Sequence, residues 1–254
     1  MLKEILKSGT AIFGTFVKVP APQLIEVISH SGIGYVVVDQ EHGALSFGET
    51  ETLIRAANSM GLPAVVRIPE VTRSNVMHAL DSGATGIMVP MVDTVQKAKE
   101  AIAESYYPPK GRRGLSKGHR SIAYGFRELK EYLNEADKST LIIAQIENQE
   151  GVSIVDDLAS IEGIDVLFVG PTDLSLSLDA EKNDNNTDET VESVMKKVCR
   201  AADKAGIQAG TLVNTEEKLE NALNEGMRFI LWGSDLGLLS KSTHDLKAIL
   251  SKIN

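Results

Sequence analysis

In "YVVVDQEHGALSF" (35–47), the apolar run Tyr35-Val36-Val37-Val38 is followed at once by Asp39, Gln40, Glu41 and His42. Four consecutive groups that carry or accept charge cannot share a strand's dry surroundings unless they are paired or emerge at a surface. Three other strand-like runs end in the same way. Arg67 lies in "AVVRIP", Gln145 and Glu147 close "LIIAQIE", and "DVLFVG" leads through "VGPTD" to Asp173. Glu147 and Asp173 offer two hard oxygen ligands with Gln145 beside them. That is too few for a closed cage, so substrate and water would complete an octahedral Mg2+ or Mn2+, with Co2+ or another divalent cation as an alternative. An open metal site polarises a bound carbonyl. Arg67 could stabilise negative charge developing on that oxygen, and His42 could move a proton, directly or through a water. Charge on a carbonyl oxygen, next to a carbon that gains or loses a proton, describes an enolate.

Each residue also has a plainer reading. His42 alone could be a satisfied rim histidine. Arg67 could be a structural ion-pair partner of Glu147. Asp173 opens "DLSLSL" and could be a helix N-cap. All four standing at strand ends favours the functional reading, because chemistry in barrels sits at the C-terminal ends of the strands.

Eight short runs must position these groups: 11–19, 35–40, 64–69, 86–92, 141–147, 165–170, 208–213 and 229–234. Most are nearly continuous apolar segments, the pattern of parallel strands covered on both faces. Amphipathic stretches alternate with them. Ser74 can cap "NVMHALDSG", Thr94 can cap "VQKAKEAIAES", and Thr215 can cap "TEEKLENALNEG". Eight strand-helix units without a composition break predict an α/β fold, a (β/α)8 TIM barrel forming a single domain over 1–254. A doubly wound open sheet would carry a Gly-rich phosphate turn after its first strand, and "VKVPAPQ" has none. The loop 106–125, "YYPPKGRRGLSKGHRSIAYG", is long, basic and without apolar period, which suggests function. The polar stretch 179–190, "DAEKNDNNTDET", reads as solvated and receives no role.

With 43% hydrophobic and 24% charged residues, 254 residues can bury a barrel-sized core. A net charge of −9 argues against nucleic-acid or anionic-membrane partners. No apolar run approaches the roughly 18 residues of a membrane span, and "MLKEILKSGT" lacks the apolar core of a secretory signal, so a cytoplasmic location is expected. The single cysteine, Cys199, falls on an apolar helix face and reads as structural.

The segments "VVVDQEHGALSF", "GLPAVVRIP", "GATGIMVPMVDT", "YYPPKGRRG", "IAQIEN" and "FVGPTDLSLSL" resemble the HpcH/HpaI family of metal-dependent class II pyruvate aldolases, in the family's order and over nearly the whole chain. The resemblance implies a catalytic base at His42, an enolate-stabilising arginine at Arg67, and metal ligands at Glu147 and Asp173. It further implies that Gln145 and the backbone around Thr172, with Asp173, hold the 2-oxo acid, and that Asp81 in "ALDSG" makes the histidine more basic. Asp81 stands near a helix C-terminus, unfavourably placed against the helix dipole, which is compatible with a compensating partner or with plain solvent exposure. A homohexamer built as a trimer of dimers is also implied, with the C-terminal helix, about 235–253, exchanged between subunits. Its apolar stripe of Leu238, Leu239, Leu246, Ile249 and Leu250 would look the same on a helix packed against its own barrel. The chain departs from many relatives in having Asp179 where a glycine follows "DLSxSL". Its loop is closest to the branch that cleaves 2-dehydro-3-deoxy sugar acids, where His119 and Arg120 could reach an acidic acceptor.

The expected activity is retro-aldol cleavage of a 4-hydroxy-2-oxo acid into pyruvate, or a close 2-oxo acid, and an aldehyde. The alternatives are a class I, Schiff-base aldolase using Lys18, a citrate lyase β-like enzyme acting on acyl groups or coenzyme A thioesters, and a catalytically silent binding barrel.

Overall fold

The computed structural model describes residues 2–185 and 189–253, so 186–188 of the polar stretch lie outside the described residues. The strands are β1 (Ile12–Val17), β2 (Tyr35–Asp39), β3 (Ala64–Arg67), β4 (Gly86–Val89), β5 (Leu141–Ile146), β6 (Val166–Val169), β7 (Gln208–Val213) and β8 (Phe229–Ser234). Each lies within one of the eight expected runs. All pair in parallel with the next, and β8 closes on β1 through Ile12↔Phe229 and Phe13↔Ile230. The near-continuous apolar runs are explained by two cores. Tyr35, Val37, Val65, Met88, Ile143, Phe168 and Phe229 point into the barrel. Val36, Val38, Val66, Ile87, Ile142 and Leu167 face the surrounding helices.

The helices are α1 (Leu2–Lys7), α2 (Pro22–Ser29), α3 (Phe47–Ser59), α4 (Arg73–Asp81), α5 (Val95–Ser105), α6 (Leu129–Ser139), α7 (Gln149–Ser153), α8 (Val155–Ala159), α9 (Pro171–Asn185), α10 (Val191–Ala205), α11 (Glu216–Asn224) and α12 (Asp235–Leu250). Thr94 and Thr215 cap α5 and α11 as expected, each accepting from the amide three residues on. The cap of α4 is Thr72 rather than Ser74. Thr72 has the extended backbone a cap requires and its hydroxyl accepts from Asn75 N, which leaves Ser74 inside the first turn. The helix α9 begins at Pro171, so Asp173 is inside its first turn and is not an N-cap.

One end of the barrel is closed by α1, whose Leu2 and Leu6 are each 2% exposed and join the inner core. Lys3 locks this plug in place through Thr140 O at 3.0 Å and Asp165 at 2.8 Å. At the opposite end, Asp235 accepts from the Lys18 and Val19 amides at 2.9 and 3.0 Å, tying the end of β1 to the start of α12. Beyond that anchor α12 leaves its own barrel uncovered. Leu239, Leu246 and Ile249 are 61%, 53% and 56% exposed, so the apolar stripe is not packed at home.

Inside the barrel β1 must come close to the Tyr35 ring. A Cβ on Gly14 would lie 2.5 Å from that ring, which is fully buried and fixed by its hydroxyl donating to Ile230 O at 2.8 Å. Gly14→Ala is expected to lower stability by about 1–3 kcal/mol through overpacking, read as the shift of a urea unfolding midpoint. An unmoved midpoint would mean that the ring swings aside freely.

Candidate active site

The strand register brings the first two functional groups together. Asp39 ends β2 and Arg67 ends β3, and the two are Cα partners in the parallel pair. Arg67 Nε donates to Asp39 Oδ1 at 2.9 Å and Nη2 to Oδ2 at 2.6 Å, a bidentate pair. Asp39 is fully buried and Arg67 is 5% exposed. The same carboxylate accepts from the Glu41 and His42 amides at 3.2 Å each, and Lys18 Nζ lies 3.4 Å from it. Arg67 Nη1 is 3.2 Å from Glu41 Oε2, and its guanidinium lies 4.3 Å from the centre of the Phe16 ring. Burial works to raise the Asp39 carboxyl, but the hydrogen bonds and charge of Arg67, helped by the His42 amide and Lys18, outweigh it and hold the group below its ordinary range.

The guanidinium is therefore paired, with Asp39 and Glu41 rather than with Glu147. Sequence reading assigned Asp39 no role of its own. The signal was present in the two runs "VVVD" and "AVVR", which end at the same level, because a buried guanidinium requires a carboxylate beside it.

Glu147 follows β5 and is 3% exposed. Its Oε2 accepts from Met91 N at 2.9 Å and its Oε1 from Gln145 Nε2 at 3.0 Å. Gly170 lacks a side chain here for a reason, since a Cβ would stand 2.5 Å from Glu147 Oε1. Burial pushes the Glu147 carboxyl up to about 7; the Met91 amide and Arg67 oppose this, and the charges of Glu41 and Asp173 add to it. Glu41 is likewise raised, first by burial and then by Asp39 and Asp173, against Arg67 and His42. Three carboxylates thus repel one another at one end of the barrel.

His42, Arg67, Thr172 and Asp173 line a common cavity of about 1010 Å³. The His42 side chain is 55% exposed, with Nε2 3.9 Å from Glu41 Oε2. Lys18 lines the same cavity, but its ammonium belongs to the Asp39 cluster instead of standing alone in a dry pocket. Cys199, on α10, is half-buried, and burial pushes its thiol up to about 11, as suits a structural cysteine.

Asp81 is not brought to His42 within the chain. It ends α4, which runs antiparallel to the strands and so finishes toward the other end of the barrel, whereas His42 follows the C-terminal end of β2. Its carboxylate accepts from Arg113 Nη2 at 2.6 Å and lies 3.6 Å from His119 Nε2. The compensating partner of Asp81 is therefore the loop 106–125, which it pins to the barrel.

Among the described residues no group of three or more His, Cys, Asp or Glu side chains stands ready to hold a metal unaided. The donor set nevertheless fits a divalent cation completed by substrate and water. Glu147, Glu41 and Asp173 carry like charges that repel one another, and the buried Gln145 Oε1 has no hydrogen-bond partner.

A closed eight-stranded parallel barrel with its ionisable cluster at the C-terminal mouth defines a (β/α)8-barrel enzyme. Residues 13–242 match the family model described as HpcH/HpaI aldolase/citrate lyase. The chain is 31% identical over 248 residues to a hydroxypyruvate/pyruvate aldolase of Paraburkholderia phytofirmans, covering 95% of this chain and 94% of that one. It is 30% identical over 250 residues to a 5-keto-4-deoxy-D-glucarate aldolase of Shigella boydii, covering 98% and 96%. A solved HpcH/HpaI aldolase/citrate lyase family protein from Burkholderia cenocepacia superposes with a TM-score of 0.88 at 28% identity, covering 98% of each chain. This chain belongs to the HpcH/HpaI aldolase/citrate lyase family.

The raised carboxyl has a consequence for stability. Glu147 titrates near 7 when folded and at its ordinary 4.5 when unfolded, so its contribution is present in full below 4.5 and is lost as pH rises toward 7. Metal-free Glu147→Gln should therefore be more stable than the wild-type protein at pH 8 by on the order of 2–3 kcal/mol, and close to it at pH 4.5. Urea unfolding at the two pH values measures this, and an equal difference at both would remove the titration from the account.

Proposed function

We propose that the protein is a divalent-metal-dependent carbon-carbon lyase that cleaves a 4-hydroxy-2-oxo acid to pyruvate, or a close 2-oxo acid, and an aldehyde. The relatives' names support this substrate class, as they include a 5-keto-4-deoxy-D-glucarate aldolase and a hydroxypyruvate/pyruvate aldolase. The observation that carries the reading is the buried pairing of Arg67 with Asp39 within electrostatic reach of Glu147, where Arg67 lines one cavity together with His42 and Asp173.

Glu147 and Asp173 are the proposed ligands of Mg2+ or Mn2+, with Co2+ as an alternative. When bound, the cation polarises the carbonyl of the oxo acid. Gln145, Asp173 and the backbone around Thr172, at the N-terminus of α9, hold the oxo acid. His42, exposed in the cavity, takes the C4 hydroxyl proton directly or through a water as the C3–C4 bond breaks. The electron pair of that bond passes to the oxo-acid half as an enolate, and the C4 half leaves as the aldehyde. Arg67 commits Nε and one N–H of Nη2 to Asp39, while Nη1 stands in ion-pair range of Glu41 without a hydrogen bond to it, which leaves N–H groups on both terminal nitrogens for the enolate oxygen. Protonation at C3 completes the oxo acid.

The same reading takes residues 1–254 as one barrel domain. It places the exposed stripe of α12 at a subunit contact, with the helix, about 235–253, exchanged in a homohexamer built as a trimer of dimers, and it places the protein in the cytoplasm.

A lactate dehydrogenase-coupled assay of pyruvate release from a panel of 4-hydroxy-2-oxo acids tests the proposal. Release is expected to vanish with EDTA and in Glu147→Ala, and to fall by roughly 10²–10⁴-fold in His42→Ala. Release that survives EDTA would sink the metal mechanism and turn attention to Lys18.

A further inference from the structure

Met91, in the turn between β4 and α5, has a φ of 48°, in the left-handed region that residues with a Cβ adopt only when their surroundings enforce it. Both of its peptide groups are held. Its N–H donates to Glu147 Oε2 at 2.9 Å, and its carbonyl accepts from Lys97 Nζ at 2.6 Å. The next amide, Val92 N, donates to Gln145 O at 3.0 Å. The turn is thus stitched at successive peptides to the end of β5, on either side of the residue that separates Gln145 from Glu147.

Lys97 stands in the first turn of α5, its own amide donating to the capping Thr94 hydroxyl at 3.2 Å. A cation at a helix N-terminus is disfavoured by the helix dipole, so its placement calls for a local partner, which the Met91 carbonyl supplies. On the far side of Glu147, Gln145 Nε2 grips Oε1 and the bare Cα of Gly170 leaves room for it. Rotating the Glu147 carboxylate would break one grip or the other.

We propose that Lys97 is a positioning residue for metal binding: by holding the Met91 carbonyl it locks the left-handed turn whose N–H orients Glu147 toward the cation. This inference rests on the reading of Glu147 as a metal ligand. Lys97 is not among the residues that line the cavity of His42 and Asp173, so its proposed effect passes through Met91 and Glu147. A surface lysine with an incidental hydrogen bond would leave metal affinity alone, so the binding constant separates the two roles.

The test is calorimetric titration of the metal-free, full-length protein with Mn2+, alongside urea unfolding, for wild type, Lys97→Met, Lys97→Arg and Glu147→Gln. Lys97→Met should weaken Mn2+ binding by roughly tenfold with little change in the unfolding midpoint, and Lys97→Arg should recover most of the loss. Wild-type affinity in Lys97→Met, with binding lost in Glu147→Gln, would overturn the role of Lys97 and leave Glu147 as a ligand. Undiminished affinity in Glu147→Gln would instead overturn the reading beneath it. If Lys97→Met fails to fold or loses stability in step with affinity, Lys97→Arg decides. Affinity restored at wild-type stability supports the positioning role, and both remaining low assigns Lys97 to general stability and overturns it.

Discussion

The Asp39–Arg67 pair is the constraint around which this site is arranged. Neither charge could remain in its buried position alone, because removing one partner would strand the other in a medium of low dielectric. The bidentate geometry sets the orientation of the guanidinium, and the remaining lone pairs of Asp39 take the Glu41 and His42 amides. A single carboxylate thereby orients the arginine and shapes the turn that carries the histidine. Its register with Arg67 follows from the strand pairing of β2 and β3, so the barrel itself enforces the contact.

The second organising feature is the contrast between the two ends of the barrel. Leu2 and Leu6 seal one end with apolar contacts and the Lys3–Asp165 pair. The other end gathers Glu41, Glu147 and Asp173 around Arg67 and Lys18. Strands that are apolar throughout their length leave only their C-terminal ends for such groups, and the antiparallel helices return the chain to the sealed end. Asp81 is carried there by α4, where within the chain it meets the loop 106–125 through Arg113 and does not meet His42.

Much of this was legible in the residues themselves. The eight β-branched runs mark the strands because parallel strands buried on both faces must be apolar on both. Thr94 and Thr215 mark helix starts because an orphan amide needs an acceptor close in sequence. Thr72 was missed in favour of Ser74 because both can accept the bond, and backbone conformation decides between them. The Arg67–Glu147 pairing was a fair expectation for neighbouring carboxylate and guanidinium types. Register gave the guanidinium to Asp39 and Glu41, and left Glu147 to the Met91 amide and Gln145.

By itself, the sequence determined the barrel, the strand ends that carry polar and charged groups, and the family to which the chain belongs, since these depend on local periodicity and on motifs contiguous in the chain. The tertiary structure alone decided which carboxylate answers which cation, that Glu147 is lifted to about 7, that Asp81 faces Arg113, and that a left-handed Met91 aims an amide at Glu147. Those outcomes depend on distances of a few ångströms between residues far apart in the chain. Burial and Coulomb energies vary steeply over that range, and residue type does not encode it.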